Sequence, residues 1–281
     1  MAVSKPDFDY IANLARSQAA IVLEPGKEYL VENRLTPIAQ QQGFGTLENL
    51  IAKLRSETGM TALHNRVIDA LTTNETSFFR DFHPFESLRK EILPQLIEKR
   101  AGARQLTIWS AACSTGQEPY TLAMLLRENF PQLESWKVSI IATDLSPTVL
   151  QVATAGNYSQ FEVNRGLPAP YLVKYFSKQG DRWHIKPELK RNIQFRPMNF
   201  IQPWPIMPPF DIVFIRNVMI YFDVETKKQI LKRIRNCLLP HGYLFLGTAE
   251  TTINLDPELV PMTVGRATVF QTKPALVGAP A

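Results

Sequence analysis

Several kinds of residue that would announce a function are scarce in this chain. Only two cysteines occur in 281 residues, Cys113 and Cys237. Two are too few for a disulfide framework or a four-ligand zinc site. The four histidines, His64, His83, His184 and His241, are scattered and form no HxxxH or HExxH pair. No metal site is expected from such a set. No apolar run approaches the roughly 20 residues that a membrane-crossing helix needs, and the first ten residues, MAVSKPDFDY, lack the apolar centre of a signal peptide. The expectation is a cytoplasmic protein with no direct membrane insertion. No internal repeat is present either.

Charge of one sign is also lacking over the first quarter. Residues 1–71 carry seven Lys/Arg against eight Asp/Glu, and a near-neutral surface there disfavours nucleic acid as a partner. The net charge of +5 is instead concentrated late. Between 165 and 196 lie Arg165, Lys174, Lys178, Arg182, Lys186, Lys190, Arg191 and Arg196, opposed only by Asp181 and Glu188. A local excess of this size is either a solvated basic face or a docking surface for an acidic partner.

What is present first is helical periodicity. Phe8, Ile11, Leu14 and Ala15 fall on one helical face with Asp7 as a candidate N-cap. Tyr29, Leu30 and Leu35 predict a second helix, disturbed at Pro37. Leu47, Leu50, Ile51 and Leu54 predict a third behind Thr46, and Leu63, Val67, Ile68 and Leu71 a fourth. Residues 1–71 therefore read as an all-α N-terminal domain. Residues 72–103 read as a linker, with a connecting helix from Phe85 to Ile97 ended by Gly102.

After residue 104 the pattern becomes strand–helix alternation. Leu106–Ala111, Val138–Ala142, Phe210–Ile215 and Tyr243–Leu246 are apolar runs with helical segments between them. Continuously apolar strands predict a mostly parallel sheet covered on both faces, over residues 104–274. The stretch from Gly156 to Met198 interrupts the rhythm, with an insert expected at 165–196. Tyr175–Phe176, Trp183–Ile185 and Ile193–Phe195, separated by polar turns, predict a small inserted antiparallel β-subdomain. Residues 275–281 read as a disordered tail.

Four places carry chemistry. The first strand runs into Ala111-Ala112-Cys113-Ser114-Thr115-Gly116-Gln117-Glu118, a small-residue turn that lets a ligand approach the carboxyl edge of the sheet. A dinucleotide site would want G-x-G-x-x-G; only Gly116 is present, and Glu118 would repel a pyrophosphate. The turn fits a ligand with a cationic end, such as the amino group of S-adenosylmethionine. The second strand closes on Asp144, placed to accept ribose hydroxyls or simply to cap a helix. The third strand opens into Arg216-Asn217 and then Tyr221. In the linker, Thr72–Asp81 (TTNETSFFRD) clusters hydrogen-bonding residues beside two phenylalanines and Arg80, either a loop folded over a ligand or a plain connection. Cys113 has no histidine or aspartate spaced to activate it as a nucleophile.

Together TTNETSFFRD, WSAACSTGQEPY, IIATDLS, FRPMNF and FDIVFIRNVMIYFD resemble the CheR family of chemotaxis receptor methyltransferases, over almost the whole chain to about Gln271. The resemblance implies an α/β class I methyltransferase fold, Rossmann-like, with an all-α N-terminal domain and a small antiparallel β-subdomain. It implies S-adenosyl-L-methionine as cofactor, S-adenosyl-L-homocysteine as product, and glutamate carboxylates of a chemoreceptor cytoplasmic domain as methyl acceptors. By position, Asn74, Thr76 and Arg80 would contact the cofactor from the linker. Gly116 belongs to the turn, Glu118 would hold the amino group and Asp144 the ribose. Asn199 with Phe200 would lie beside the adenine, Arg216 and Asn217 would complete the pocket, Tyr221 would sit near the transferred methyl, and Arg80 and Tyr221 would orient the acceptor or polarise the site. Cys113 stands where the family often has alanine. A receptor's C-terminal acidic-aromatic peptide would meet 165–196, with Tyr175 and Trp183 giving apolar contact and Lys178, Arg182 and Lys186 attraction. A monomer is expected. Two alternatives stay open: a methyltransferase of another acceptor, and a cofactor-binding regulatory module without turnover.

Overall fold

In the computed structural model, residues 3–273 are described; the 275–281 tail lies outside them. Four helices, Lys5–Ala19, Glu28–Gln41, Leu47–Ser56 and Ala62–Leu71, enclose Ile11, Ala15, Val31, Leu35, Leu50, Ile51, Leu54 and Val67. The first begins two residues before Asp7: Ser4 is the cap, its hydroxyl accepting the Asp7 amide at 3.3 Å. Asp7 sits in the first turn, where a carboxylate favours the helix dipole without capping. Thr46 caps the third helix as its spacing predicts. Pro37 lies inside the second helix, which continues to Gln41. The first helix ends at Ala20, in the left-handed region with φ 55°.

The linker crosses without regular secondary structure from Thr73 to Ser77 and is held at both ends. Arg34 donates to the carbonyls of Leu71 and Thr72 and, at 2.8 Å, to Thr73 Oγ1. At the other end Phe78 is buried edge-on to the rings of Tyr158 and Phe176. The connecting helix begins at His83, widens into a π-turn over Leu88–Ile92 and resumes as Leu93–Arg100. Pro94 accounts for the widening: it has no N–H, and its ring crowds the carbonyl four residues back.

Ten strands follow: β1 Gln105–Ala111, β2 Lys137–Asp144, β3 Asn157–Ser159, β4 Phe176–Gln179, β5 Arg182–Ile185, β6 Ile193–Pro197, β7 Phe210–Ile215, β8 Leu238–Leu246, β9 Leu259–Val264 and β10 Ala267–Thr272. Seven form one sheet in the order β6-β2-β1-β7-β8-β10-β9. The first five are mutually parallel, and β10 runs antiparallel to both of its neighbours, β8 and β9. Helices such as Gln117–Asn129 and Val224–Cys237 cover its faces. The chain runs outward from β1 to β2 and β6, then returns to β7 on the other side. That reversal opens a crevice at the carboxyl ends of β1, β2 and β7.

The small antiparallel sheet has the order β3-β5-β4, which corrects the strand membership expected from the sequence. Ile193–Phe195 belongs to β6, paired in parallel with β2 from Ile140 to Asp144. The third strand of the small sheet is instead Asn157–Ser159, paired with Arg182–His184. Tyr175 is also corrected: it is buried and its hydroxyl donates to Glu128, so it offers no surface contact.

Candidate functional site

The β1 turn enters left-handed backbone at alternate residues: Ala112 at φ 58°, Ser114 at 50° and Gly116 at 94°. Non-glycine residues pay for such angles, and Asp144 holds the turn in place. Its Oδ2 accepts the Ser114 amide at 2.8 Å and its Oδ1 the Ser146 amide at 3.0 Å. Burial pushes the Asp144 carboxyl above its ordinary value, against the pull of those backbone donors. Each oxygen keeps a second lone pair that a ligand hydroxyl can use.

Gly116 has a packing role. A Cβ there would meet Ala153 Cβ at 2.9 Å and the Tyr158 hydroxyl at 3.1 Å. It packs behind the crevice and is not among the residues that line it. Cys113 is buried, and burial together with the Asp144 and Glu118 charges holds its thiol well above the usual value. It stays protonated and is not a nucleophile.

An ion relay crosses the floor. Arg216, nearly inaccessible, donates to Glu118 Oε2 at 3.2 Å, to Asp81 Oδ2 at 2.6 Å and to the Arg80 carbonyl at 2.9 Å. Its guanidinium lies 5.5 Å from the Phe85 ring centre. Glu118 also accepts from Ser110 Oγ at 2.7 Å. Burial raises the Glu118 carboxyl, and Arg216 opposes that rise. Asp81 was not anticipated as part of the site. It lies within a strained stretch, with Phe79, Asp81 and Phe82 all at positive φ, and its pairing with Arg216 holds that stretch against the sheet.

These groups line one crevice of about 970 Å³, the open space at its mouth included. Asn74, Thr76, Arg80, Glu118, Asp144, Asn199, Phe200, Arg216, Asn217 and Tyr221 all line it. Ala19, Ile21 and Leu71 of the helical domain roof it, and the Val22 amide donates to the Tyr221 carbonyl at 3.0 Å. Asn199 turns its side chain to protein partners: Nδ2 donates to the Gln18 carbonyl at 2.7 Å and Oδ1 accepts the Ile201 amide. Its neighbour Phe200 presents an apolar ring for a planar base. Two buried atoms among the lining residues lack partners, Asn217 Oδ1 and Arg216 Nε. Such orphans are costly unless a ligand completes them. The donor set therefore suits an adenosyl amino acid: an aromatic face, a carboxylate for vicinal hydroxyls, and a polar end of mixed charge. Among the described residues no cluster of metal-ligating side chains exists.

Sequence reasoning missed the roof residues and Glu250. The Glu250 carboxylate accepts backbone amides from Asn217 at 2.8 Å, Val218 at 3.0 Å, Met219 at 2.8 Å and Gly247 at 2.6 Å. No local signal marks it, because three of its four partners lie some thirty residues earlier.

Comparison with known proteins decides the family. Residues 6–72 match the family described as "CheR methyltransferase, all-alpha domain", and residues 74–265 match "CheR methyltransferase, SAM binding domain". The chain belongs to the CheR methyltransferase family. It is 41% identical to "Chemotaxis protein methyltransferase 1" of Pseudomonas aeruginosa over 97% of this chain and all of that protein. It is 38% identical to "Chemotaxis protein methyltransferase Cher2" of Pseudomonas putida with the same coverage. A TehB-like SAM-dependent methyltransferase from Corynebacterium glutamicum is 15% identical at a TM-score of 0.37, covering 68% of this chain and all of that one, too distant to bear on function. This CheR family member is thus an S-adenosylmethionine-dependent methyltransferase of chemotaxis, with the fold that its motifs imply. No helix among the described residues is long and apolar enough to cross a membrane.

Proposed function

We propose that this CheR family member methylates glutamate carboxylates on the cytoplasmic domain of chemoreceptors and acts in the cytoplasm. The observation that carries this reading is the absence of a base at the crevice. Among the described residues its lining includes no histidine or lysine, Cys113 is held as a thiol, Glu75 is paired with Arg165, which lowers its carboxyl, Glu118 is paired with Arg216, and Asp144 holds two backbone amides. An acceptor that must lose a proton would find no free group to take it. A glutamate, with a pKa near ~4.3, is already ionised and nucleophilic at neutral pH.

S-adenosylmethionine, when bound, supplies the electrophilic methyl. The protein supplies placement, aligning a carboxylate oxygen with the methyl and excluding water under the helical roof. Asp144 would hold the ribose, Phe200 would lie against the adenine, and Glu118, Arg216 and Asn217 would surround the amino-acid end. Among the described residues Arg80 makes one side-chain hydrogen bond, to the Glu75 carbonyl at 2.8 Å, which leaves other guanidinium donors for an anionic acceptor. Tyr221 lines the same mouth. Incubating the protein with a receptor cytoplasmic fragment and the cofactor, then mapping methylated peptides by mass spectrometry, tests the reading. Modification on glutamate is the expected result; modification on lysine, histidine or glutamine nitrogen would overturn it.

The small sheet supports a finer reading, docking of an acidic receptor peptide. Strand β4 is an edge of that sheet, open to backbone pairing, and Lys178 lies 5.7 Å from the ring centre of Trp183 on β5. Part of the basic excess is used internally: Arg165 pairs with Glu75 and Lys174 with Glu128. Neutralising Lys178, Arg182 and Lys186 together should slow receptor association and flatten its salt dependence. Unchanged association rates at low salt would remove the insert from docking.

A further inference from the structure

We propose that Glu250 is a positioning residue of the methyl-transfer site, acting through the Asn217–Tyr221 turn; the inference rests on the reading of the crevice as the S-adenosylmethionine site. The turn that follows β7 is short and badly provided for. Asn217 sits in the left-handed region at φ 58°, and Met219–Tyr221 is a single 3₁₀ turn. Its first three amides have no helical carbonyl to meet. All three point at one carboxylate. Glu250 Oε2 takes Asn217, Oε1 takes Val218 and Met219, and Oε2 also takes Gly247.

This is a charge-assisted clamp between two loops that the sheet itself does not join at their tips. Hydrogen bonds to an ionised acceptor are stronger than neutral ones, and four converge here. The approach is tight enough to constrain Gly247: a Cβ there would meet Glu250 Oε2 at 2.7 Å and the Asn217 amide at 2.8 Å. The side chains that the clamp orients are those lining the crevice. Asn217 leaves Oδ1 buried and unpartnered, an acceptor set in place before a ligand arrives, and Tyr221 stands at the mouth. Glu250 does not itself line the crevice. Its effect passes through backbone geometry, which is what separates a positioning residue from a ligand contact.

Glutamine at 250 keeps one acceptor oxygen and turns an NH₂ toward amides that also donate. The measurement is calorimetric titration of S-adenosylhomocysteine into Glu250→Gln, Asn217→Gly and the double variant, with melting temperatures recorded alongside. Glycine tolerates the left-handed backbone, so Asn217→Gly removes the side chain alone. Each single variant should weaken binding about ten-fold, the scale of one well-placed hydrogen bond. The double variant should stay near ten-fold, because misplacing Asn217 and deleting it are the same loss. Glu250→Asp keeps the charge but shortens the reach, and serves if Glu250→Gln folds poorly; it should show the same non-additivity with Asn217→Gly. Affinity within two-fold of wild type in either Glu250 variant, or losses multiplying toward a hundred-fold in the double, would overturn the proposal. A second cycle reads turnover: Tyr221→Phe should cost far less in the Glu250→Gln background than in wild type. Equal cost in both backgrounds would likewise overturn it. The binding titrations need no methyl acceptor, so their outcome is independent of whether receptor glutamates are the substrate.

Discussion

At the scale of single residues, the crevice depends on carboxylates kept in an unfavourable place. Glu118 is raised because burial outweighs the Arg216 charge, and Asp144 because burial outweighs the Ser146 and Ser114 amides. A carboxyl whose folded pKa lies above its unfolded value takes up its proton first in the native state as pH falls. The two groups therefore cost stability at neutral pH, and that cost fades on acidification. The cationic cofactor favours their ionised forms. Just above the ordinary carboxylate range, S-adenosylmethionine binding should release protons, seen as calorimetric heats that vary with the ionisation enthalpy of the buffer, and affinity should fall with pH. Proton uptake in that range would contradict the assignment. Arg80 allows a simpler prediction. Its one side-chain hydrogen bond is to a carbonyl, so Arg80→Ala should lower kcat by at least about ten-fold while the melting temperature moves by no more than about 4 °C. If activity loss tracks a large thermal shift, Arg80 is structural.

At the scale of elements, what the sequence made legible depended on whether partners are local. The four N-terminal helices were readable because each carries its own apolar stripe, as in Leu47, Leu50, Ile51 and Leu54. Strands β1, β2 and β7 were readable because each carries an unbroken buried run, six residues in β1, five in β2 and all six of β7, around apolar centres such as Ile140-Ile141-Ala142. Partnership between strands was not. Ile193–Phe195 has the composition of any short strand, and only the tertiary position of Ile140, whose amide donates to Asn192 at 2.7 Å, assigns it to the large sheet. Strand β9 was invisible because it is an exposed edge carrying Pro261. Ten of the eleven candidate site positions line one crevice because motifs at strand ends converge by topology; Gly116 packs behind it, because glycine in such a turn serves packing as readily as ligand approach. That packing is testable. Gly116→Ala should destabilise by about 1–3 kcal/mol more than Gly26→Ala, since both sit near φ 90° but only Gly116 meets side chains within 4 Å. Equal urea-unfolding free energies would show that the backbone angle alone matters.

At the scale of the molecule, two bodies share one crevice. The helical domain contributes Ala19, Ile21 and Leu71 to the lining, and is tied across it by Asn199 to Gln18, Thr148 to Asp69 and Arg16 to Asp223. The sheet contributes the carboxylates and the Arg216 relay, and the linker threads between them with Asn74, Thr76 and Arg80. A site roofed in this way, with its acids committed and its one thiol protonated, is arranged to place an acceptor that is already nucleophilic and not to create one. The most direct test of that claim is the chemistry of the product bond. Methyl-labelled S-adenosylmethionine should transfer label to a receptor cytoplasmic fragment, and mild alkali should release all of it as methanol, as an ester requires. Label that survives alkali would place the methyl on nitrogen or an ether oxygen, and would contradict the account.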